Sequence, residues 1–379
     1  MTEPVYQHLG PFSDLVAAAR LQKPFFPTLP VKELRPHARE VLRFTLGTEQ
    51  PVDLKIERRW TSDGIDGEEL SWSVGFGPRT HAFLLRPASS RQQLPGVVAL
   101  YDHGHYKFYG KEKIADGPAG PIPAVVGFRN TYYSGRAYAN DLAREGFAVL
   151  IHDTFLWGSR KFPFGAFPDA DKTLADAAGA LLAHGTNDPA IDRFNGAAYL
   201  NEHIVARYCA LLGTSLAAII AYEDRVALNV LATRDDVDSR QLGCLGFSGG
   251  GLRAALLNAT ADNLAASVVA GMMSTYDEML STGVAAHTWM LFPTGWSAYG
   301  DWSDLAASAA PMPLMVQCAL GDALFTEAGM RTADKRIAAR YAESGAPQAY
   351  RGLLYPGPHR FDEEMQRAAF AWLSDTLAA

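Results

Sequence analysis

Apolar and polar residues alternate in short segments over residues 52–87 and give way to longer apolar runs further along the chain. Turn signals such as SDGIDG and GFGP separate three segments with strand composition, VDLKIERRWTS, ELSWSVGF and RTHAFLLRP. The next segment, LPGVVALYDHGH, is almost continuously apolar, as expected of a strand buried on both faces. The pattern therefore predicts four successive strands.

After this point, apolar strands alternate with segments of helical periodicity. A Gly- and Pro-rich stretch over residues 115–135 precedes the helix-like AYANDLAREGF and the buried strand FAVLIHD. Further strand candidates follow, with helical segments among them and at the end of the chain: RQLGCLGFS, LAASVVAGMM, MPLMVQCALGD and QAYRGLLYPGP. This alternation predicts the α/β class, with a mostly parallel sheet flanked by helices and right-handed crossovers.

The predicted organisation is one α/β domain with two additions. Residues 1–50 mix short helical patterns with prolines and are expected to form an N-terminal extension packed on the core. Residues 51–379 form the α/β domain. A cap-like insertion of loops, short helices and aromatic residues interrupts its rhythm over about 154–204.

Composition narrows the class of protein. Of the 379 residues, 48% are hydrophobic and 20% charged, which is ordinary for a globular chain with a buried core. The net charge of −7 argues against nucleic acid or an anionic membrane surface as a partner. The three cysteines lie in separate apolar stretches and indicate reduced core residues. With neither a signal-peptide pattern nor a bilayer-spanning run, a cytoplasmic protein is expected; the sequence leaves homo-oligomerisation open.

The segment GCLGFSGGG, residues 243–251, places one serine among five glycines. It follows a predicted buried strand and precedes a predicted helix, which is the setting of a nucleophile elbow. Gly246 and Gly250 stand two residues before and after Ser248, where strand and helix backbones crowd together. The context favours Ser248 as a nucleophile over a simple Gly-rich turn.

A serine nucleophile needs a base and an acid that orients the base. In the chain order expected for this elbow the acid and then the histidine follow the serine. His359 follows the last predicted strand and is favoured as the base over His287, which lies in an aromatic stretch. Asp322 ends the preceding predicted strand and is the candidate acid, with a simple turn aspartate as the alternative.

The predicted oxyanion hole combines the backbone of Gly249 with the loop DHGHYKFYGKEK after the first long apolar strand. Gly104 and His105 are the expected contributors from that loop. Asp102, His103 and His105 admit a second interpretation as metal ligands, although adjacent residues at a strand end seldom face one ion. No cofactor or metal is expected.

These residues together resemble the α/β-hydrolases, in particular the acetyl-xylan-esterase-like and dienelactone-hydrolase-like serine hydrolases. The resemblance rests on HGH…GKEK, Asp153, the elbow segment, GDALF and PGPHRF in this order, and it covers the chain from about residue 50. It implies ester or thioester hydrolysis through an acyl-serine, with Ser248, Asp322 and His359 as triad. A glycine after the serine departs from the family pattern and leaves the substrate open.

Six residues are candidates for the substrate pocket, each with a core or surface role as the alternative: Lys111, Trp157, His287, Trp289, Trp296 and Trp302. Arg160 is a further candidate for the pocket mouth. Arg253 is expected to pair with a carboxylate.

The function predicted from these residues is hydrolysis of a small carboxylic ester. Cleavage of carbon–carbon bonds in diketones, or of peptides, by the same triad is the alternative enzyme. A non-catalytic ligand-binding protein is the alternative from another class. The sequence does not identify the acyl or alcohol group.

Overall fold

A nine-stranded sheet forms the centre of the molecule in the computed structural model, which describes residues 6–88, 90, 92–178 and 188–377. The strands are β1 (Val52–Ser62), β2 (Ile65–Ser73), β3 (Thr80–Pro87), β4 (Leu94–Leu100), β5 (Ala148–His152), β6 (Val237–Phe247), β7 (Ala266–Ala270), β8 (Leu314–Ala319) and β9 (Tyr350–Tyr355).

The strand order is β1-β2-β3-β5-β4-β6-β7-β8-β9. The first three strands and β5 pair antiparallel, whereas all pairs from β5 to β9 are parallel. The connection after β4 leads to β5 on one side, and the connection after β6 leads to β7 on the other. Loops that leave adjacent parallel strands in opposite directions open a crevice at their carboxyl ends. The crevice lies between the loops after β4 and β6.

Helices cover both faces of the sheet. They are α1 (Leu15–Gln22), α2 (Val31–Val41), α3 (Pro123–Tyr132), α4 (Tyr138–Arg144), α5 (Asp169–Ala178), α6 (Pro189–Leu211), α7 (Leu216–Ala232), α8 (Gly249–Thr260), α9 (Tyr276–Thr282), α10 (Trp302–Ala307), α11 (Glu327–Glu343) and α12 (Glu363–Leu377). Successive residues of β6 point to opposite faces: Gly243 faces α12, and Cys244 faces Ala254 of α8. The central strands are therefore buried on both sides, as their apolar runs predict.

The predicted N-terminal extension contributes α2 to the main core. Leu34 and Ala38 of this helix are fully buried. Arg35, one residue further round the helix, donates from Nε to the carbonyl oxygen of Ala259 at 3.4 Å and from Nη2 to that of Ala261. Those carbonyls lie at the C-terminal end of α8, where helices leave acceptors without intrahelical donors. The extension thus caps α8.

The predicted insertion contains a long helix that the sequence pattern did not indicate. Helix α6 runs past the expected boundary at residue 204 to Leu211. The Gly- and Pro-rich stretch 115–135 contains α3, with Pro123 at its first turn where the missing N–H costs nothing. Residues 1–5 of the predicted extension, 179–187 of the predicted insertion and 378–379 lie outside the described residues.

Across the described part of the chain, a single helix with the length and apolarity to cross a membrane is not found. Helices α6 and α7 meet that test only when taken together, and they meet at a bend of 90°.

Candidate active site

Ser248 occupies the sharp turn between β6 and α8. Its backbone has φ 56° and ψ −122°, a combination that side chains of L-residues rarely adopt. The Ser248 N–H donates to the carbonyl oxygen of Ala270 in the neighbouring strand at 2.8 Å, which holds the turn in place. Such strain costs about 1–3 kcal/mol and persists where the surrounding structure enforces it.

The glycines around Ser248 are required by close backbone contacts. A Cβ atom on Gly246 would lie 2.1 Å from the carbonyl oxygen of Gly250, and one on Gly250 would lie 1.9 Å from that of Leu100. Real Cβ atoms essentially never approach within 3.0 Å of another heavy atom in this way. The two glycines therefore let α8 begin directly against the ends of β4 and β6.

Ser248, His359 and Asp322 form a continuous hydrogen-bonded series. His359 Nε2 lies 2.9 Å from Ser248 Oγ, and His359 Nδ1 lies 2.5 Å from Asp322 Oδ2. Because a carboxylate only accepts, the proton belongs on Nδ1, and Nε2 is left to accept from the serine hydroxyl. The other carboxylate oxygen of Asp322 accepts from the N–H of Leu324 at 2.8 Å. The arrangement is that of a nucleophile, a base and an orienting acid.

These three side chains follow the carboxyl ends of β6, β8 and β9. All three strands belong to the parallel part of the sheet, with β7 between β6 and β8. A cavity of about 290 Å³ opens above them. Tyr132, Phe247, Met272, Ala286 and Leu324 supply apolar surface to its wall. The site therefore exposes a hydroxyl and an imidazole to a mainly apolar space.

The loop after β4 lies against the first residue of α8. A Cβ on Gly249 would lie 2.3 Å from the backbone nitrogen of His103, so these two backbones are in contact. Within the described residues, the N–H groups of His103 and Gly104 have no hydrogen-bond partner. The His105 N–H is engaged, because it donates to His103 Nδ1 at 3.1 Å. Of the two predicted contributors from this loop, His105 therefore has its backbone donor occupied, whereas Gly104 remains a candidate donor. His103 joins Gly104 and Gly249 as a further candidate.

A buried carboxylate from the predicted insertion holds this loop. Glu202 on α6 accepts from His103 Nε2 at 2.8 Å and from Lys107 Nζ at 2.5 Å. Its second oxygen accepts from the Thr288 hydroxyl at 2.6 Å and the Trp289 N–H at 3.1 Å. Burial lowers the pKa of His103 despite the adjacent carboxylate. Burial opposes ionisation of Glu202, but Lys107 and His103 hold its pKa well below the usual range.

No metal centre is formed by the candidate ligands after β4. Asp102 accepts from the Tyr133 hydroxyl at one carboxylate oxygen and from Lys113 Nζ at the other, at 3.2 Å. Both ring nitrogens of His103 are also engaged. The described residues hold no group of three His, Cys, Asp or Glu side chains placed to bind a metal ion.

Solved esterase structures superpose on this mixed sheet and its flanking helices over most of the chain. The chain has the α/β-hydrolase fold. A glucuronoyl esterase from Solibacter usitatus superposes with a TM-score of 0.61 at 13% identity, over 90% of this chain and 92% of its own. Acetyl xylan esterase 1 from Thermoanaerobacterium sp. superposes with a TM-score of 0.55 at 13% identity, over 94% and 97%.

Two further comparisons agree with the α/β-hydrolase fold. Methylesterase BT1017 superposes with a TM-score of 0.56 at 17% identity. The superposition covers 92% of this chain but only 63% of the longer methylesterase. YtaP of Bacillus subtilis (strain 168), a protein named as a hydrolase, is 20% identical over 293 residues, 77% of this chain and 82% of YtaP. No family model matches the chain. At these identities the comparisons establish the fold.

Of the six predicted pocket residues, His287 lines the cavity. Its ring stacks on Phe325 with centroids 4.9 Å apart, and burial lowers its pKa. Trp289 does not line the cavity and is 43% exposed; its indole N–H donates to His203 Nδ1 at 2.8 Å. Its backbone instead binds Glu202.

The predicted role of Lys111 at the pocket is wrong. Its ammonium group is buried between Asp153, at 3.0 Å, and Glu112, at 2.7 Å, and it lies outside the cavity wall. These carboxylates raise its pKa against the effect of burial. Arg160, also proposed at the mouth, is buried and pairs with Glu223. Sequence alone does not show that both charges face inward to carboxylates.

Three predicted pocket tryptophans are core residues, which was the alternative for each. Trp296 and Trp302 are fully buried and donate to the carbonyl oxygens of Asp301 and Met272. Trp157 is also buried, behind the loop after β4, with its ring 5.1 Å from that of His103. The sequence around a tryptophan in a loop does not show whether its side chain lies in the core or in the wall of a pocket.

Arg253 pairs with a carboxylate, as the sequence suggested. Both Arg253 on α8 and Asp224 on α7 are buried, and their side chains approach to 2.6 Å. His103 was predicted only as an alternative metal ligand, and Glu202 was not among the predicted site residues. Glu202 lies 99 residues from its partner His103, in a helix whose polar residues show no distinctive spacing.

Proposed function

We propose that the protein hydrolyses small carboxylic esters through an acyl-serine intermediate. The observation that carries the proposal is the series Ser248–His359–Asp322, which opens into a cavity at the carboxyl edge of the sheet. A serine held in a strained turn at the cavity wall and hydrogen-bonded to an oriented imidazole is suited to attack an acyl carbon.

In the first half of the proposed reaction, Ser248 Oγ attacks the acyl carbon and its proton passes to His359 Nε2. Asp322 keeps the Nδ1 proton in place and stabilises the imidazolium. The negative oxygen of the tetrahedral intermediate is bound by the Gly249 N–H at the start of α8 together with the His103 or Gly104 N–H. His359 then protonates the departing alkoxide, which leaves as the alcohol.

In the second half, a water molecule gives a proton to His359 Nε2 and attacks the acyl-serine carbon. Collapse of the second tetrahedral intermediate releases the acid, and the proton on His359 returns to Ser248 Oγ. The helix dipole of α8 adds to the stabilisation of both oxyanions, since its N-terminus faces them. The cycle needs no group beyond the protein and water.

The size of the cavity supports a small substrate. At about 290 Å³ it lies at the lower end of the range for ligand pockets. The proteins of similar fold are named as a methylesterase, a glucuronoyl esterase and an acetyl xylan esterase, and all three names describe ester hydrolysis. We therefore place acetyl and similarly short acyl esters first among candidate substrates.

The test combines active-site labelling with turnover. Wild type and Ser248→Ala are treated with a fluorophosphonate and mapped by mass spectrometry, and both are assayed with p-nitrophenyl acetate and a 1,3-diketone. We expect one adduct, on the peptide carrying Ser248, and acetate release only by the wild type. Cleavage of the diketone without ester turnover would instead favour a carbon–carbon hydrolase. An unlabelled wild type that retains a ligand unchanged would favour a binding protein.

A further inference from the structure

The carboxylate of Glu202 joins three parts of the molecule that are remote in sequence. It lies in the middle of α6, is only 4% exposed and faces four hydrogen-bond donors. Two donors belong to the loop after β4, and two belong to the segment Thr288–Trp289, which adjoins the cavity wall. A buried carboxylate with four donors has its acceptor capacity filled.

The loop that Glu202 contacts is held in an unusual conformation. Gly104 and His105 follow one another with φ of +53° and +51°. For His105, which has a side chain, that conformation requires support from its surroundings. The support comes from His103, whose Nδ1 accepts the His105 N–H at 3.1 Å.

His103 can give this support in only one tautomer. Its Nδ1 accepts a hydrogen bond only when the ring proton is on Nε2. A proton on Nε2 requires an acceptor there, and the Glu202 carboxylate oxygen lies 2.8 Å away. The identity of the residue at position 202 therefore determines the tautomer of His103. The tautomer in turn determines whether His103 Nδ1 can accept the hydrogen bond from the His105 N–H.

We infer that Glu202 is a positioning residue for the oxyanion hole: it fixes the Nε2–H tautomer of His103 and thereby the N–H groups of His103 and Gly104 beside Gly249. The inference rests on the proposed function for its catalytic consequence. Glu202 does not contact the reacting atoms, and it acts through His103. Through Glu202, the predicted insertion would support catalysis by positioning the loop after β4, whether or not it also covers the pocket.

The kinetic test is Glu202→Gln, which keeps the size of the side chain but offers only one acceptor oxygen to four donors. With its amide facing His103, the imidazole loses its acceptor and the Nδ1-accepting tautomer is no longer favoured. We expect kcat for p-nitrophenyl acetate to fall about 10²-fold, as for loss of one oxyanion donor, with KM little changed. The fall in kcat without a matching change in KM indicates loss of an interaction made in the transition state.

The matched control is Glu68→Gln. Glu68 is 5% exposed and pairs with Arg59 and Arg234, at the opposite end of the sheet from Ser248. We expect this variant to lose stability while keeping kcat. If Glu202→Gln retains the kcat of the control, the inference is wrong.

The tautomer itself is measured without turnover, in wild-type protein labelled with ¹⁵N-histidine. The His103 signals are assigned by their loss in His103→Asn, and we expect the proton on Nε2. A proton on Nδ1 would overturn the inference whatever the kinetics, and this measurement remains decisive if Glu202→Gln does not fold. Failure of the wild type to label at Ser248 would overturn the proposed function, and the spectrum would still decide the role of Glu202.

Discussion

Replacing Gly250 by alanine tests whether the elbow requires the close approach of α8 to β4. The new Cβ would lie 1.9 Å from the carbonyl oxygen of Leu100 and 2.9 Å from that of Tyr101. Both neighbours are backbone atoms at the point where β4 leads into the loop of His103, so no flexible side chain can move aside. To reach 3.0 Å from the first oxygen, helix and strand must separate by more than 1 Å.

A separation of this size should lower both the free energy of unfolding and the catalytic rate. Forcing extra atoms into a packed interior costs about 1–3 kcal/mol of unfolding free energy. The same shift moves the Gly249 N–H away from the loop after β4, and a misplacement of about 1 Å at a reacting centre can cost about 10²-fold in rate. We therefore expect Gly250→Ala to lower kcat/KM for p-nitrophenyl acetate about 10²-fold in protein that remains folded.

The control for this substitution is Gly165→Ala. A Cβ on Gly165 meets nothing within 4 Å, and the residue has no positive φ. Urea unfolding followed by circular dichroism gives the stability of each variant, and initial rates give kcat/KM. A Gly250→Ala variant as active as Gly165→Ala would refute the claim that the glycine serves the contact with Leu100.

Three other perturbations follow from contacts already described. Asp322→Asn should lower kcat about 10⁴-fold with the far-ultraviolet spectrum unchanged, because His359 loses the partner that selects its tautomer; a kcat near that of wild type would contradict the assigned role. Burial lowers the folded-state pKa of His103, so the unfolded chain binds its proton first as the pH falls below about 6.5. The free energy of unfolding, measured in urea, should therefore decline more steeply below that pH in wild type than in His103→Asn. Equal slopes of unfolding free energy against pH in the two proteins would contradict a lowered pKa of His103 in the folded state. Asp224→Ala leaves the Arg253 charge buried without its carboxylate partner and should lower the free energy of unfolding by about 3–5 kcal/mol in the same urea assay. A loss below about 1 kcal/mol, which is typical of an exposed ion pair, would contradict burial of the charge.

The sequence predicts the strands of this protein well where both faces are buried. The runs that became β4, β5, β7 and β8 are predominantly apolar because helices cover the sheet on both sides. Prediction was weaker at the edge, where SDGIDG was interpreted as one turn. Only Asp63 and Gly64, both with positive φ, form the turn, and β2 begins at Ile65.

The second glycine of that segment serves a contact that sequence does not show. A Cβ on Gly67 would lie 2.2 Å from the indole of Trp60, so this glycine allows a tryptophan on the paired strand to lie across it. The residues of the candidate active site also differ in whether the sequence predicts them. Ser248, Asp322 and His359 each follow a recognisable strand, whereas Glu202 is joined to His103 only by tertiary structure.

The capping of α8 by Arg35 affects how this protein can be dissected. One end of that helix supplies the amide next to the reactive serine, and the other end is completed by a guanidinium contributed from the first forty residues. A shortened version that starts at β1 would expose the buried surface under Leu34 and Ala38 and leave two carbonyl groups of the nucleophile's own helix without their donor. Expression for structural or biotechnological work should therefore keep the amino-terminal segment that carries Arg35, Leu34 and Ala38.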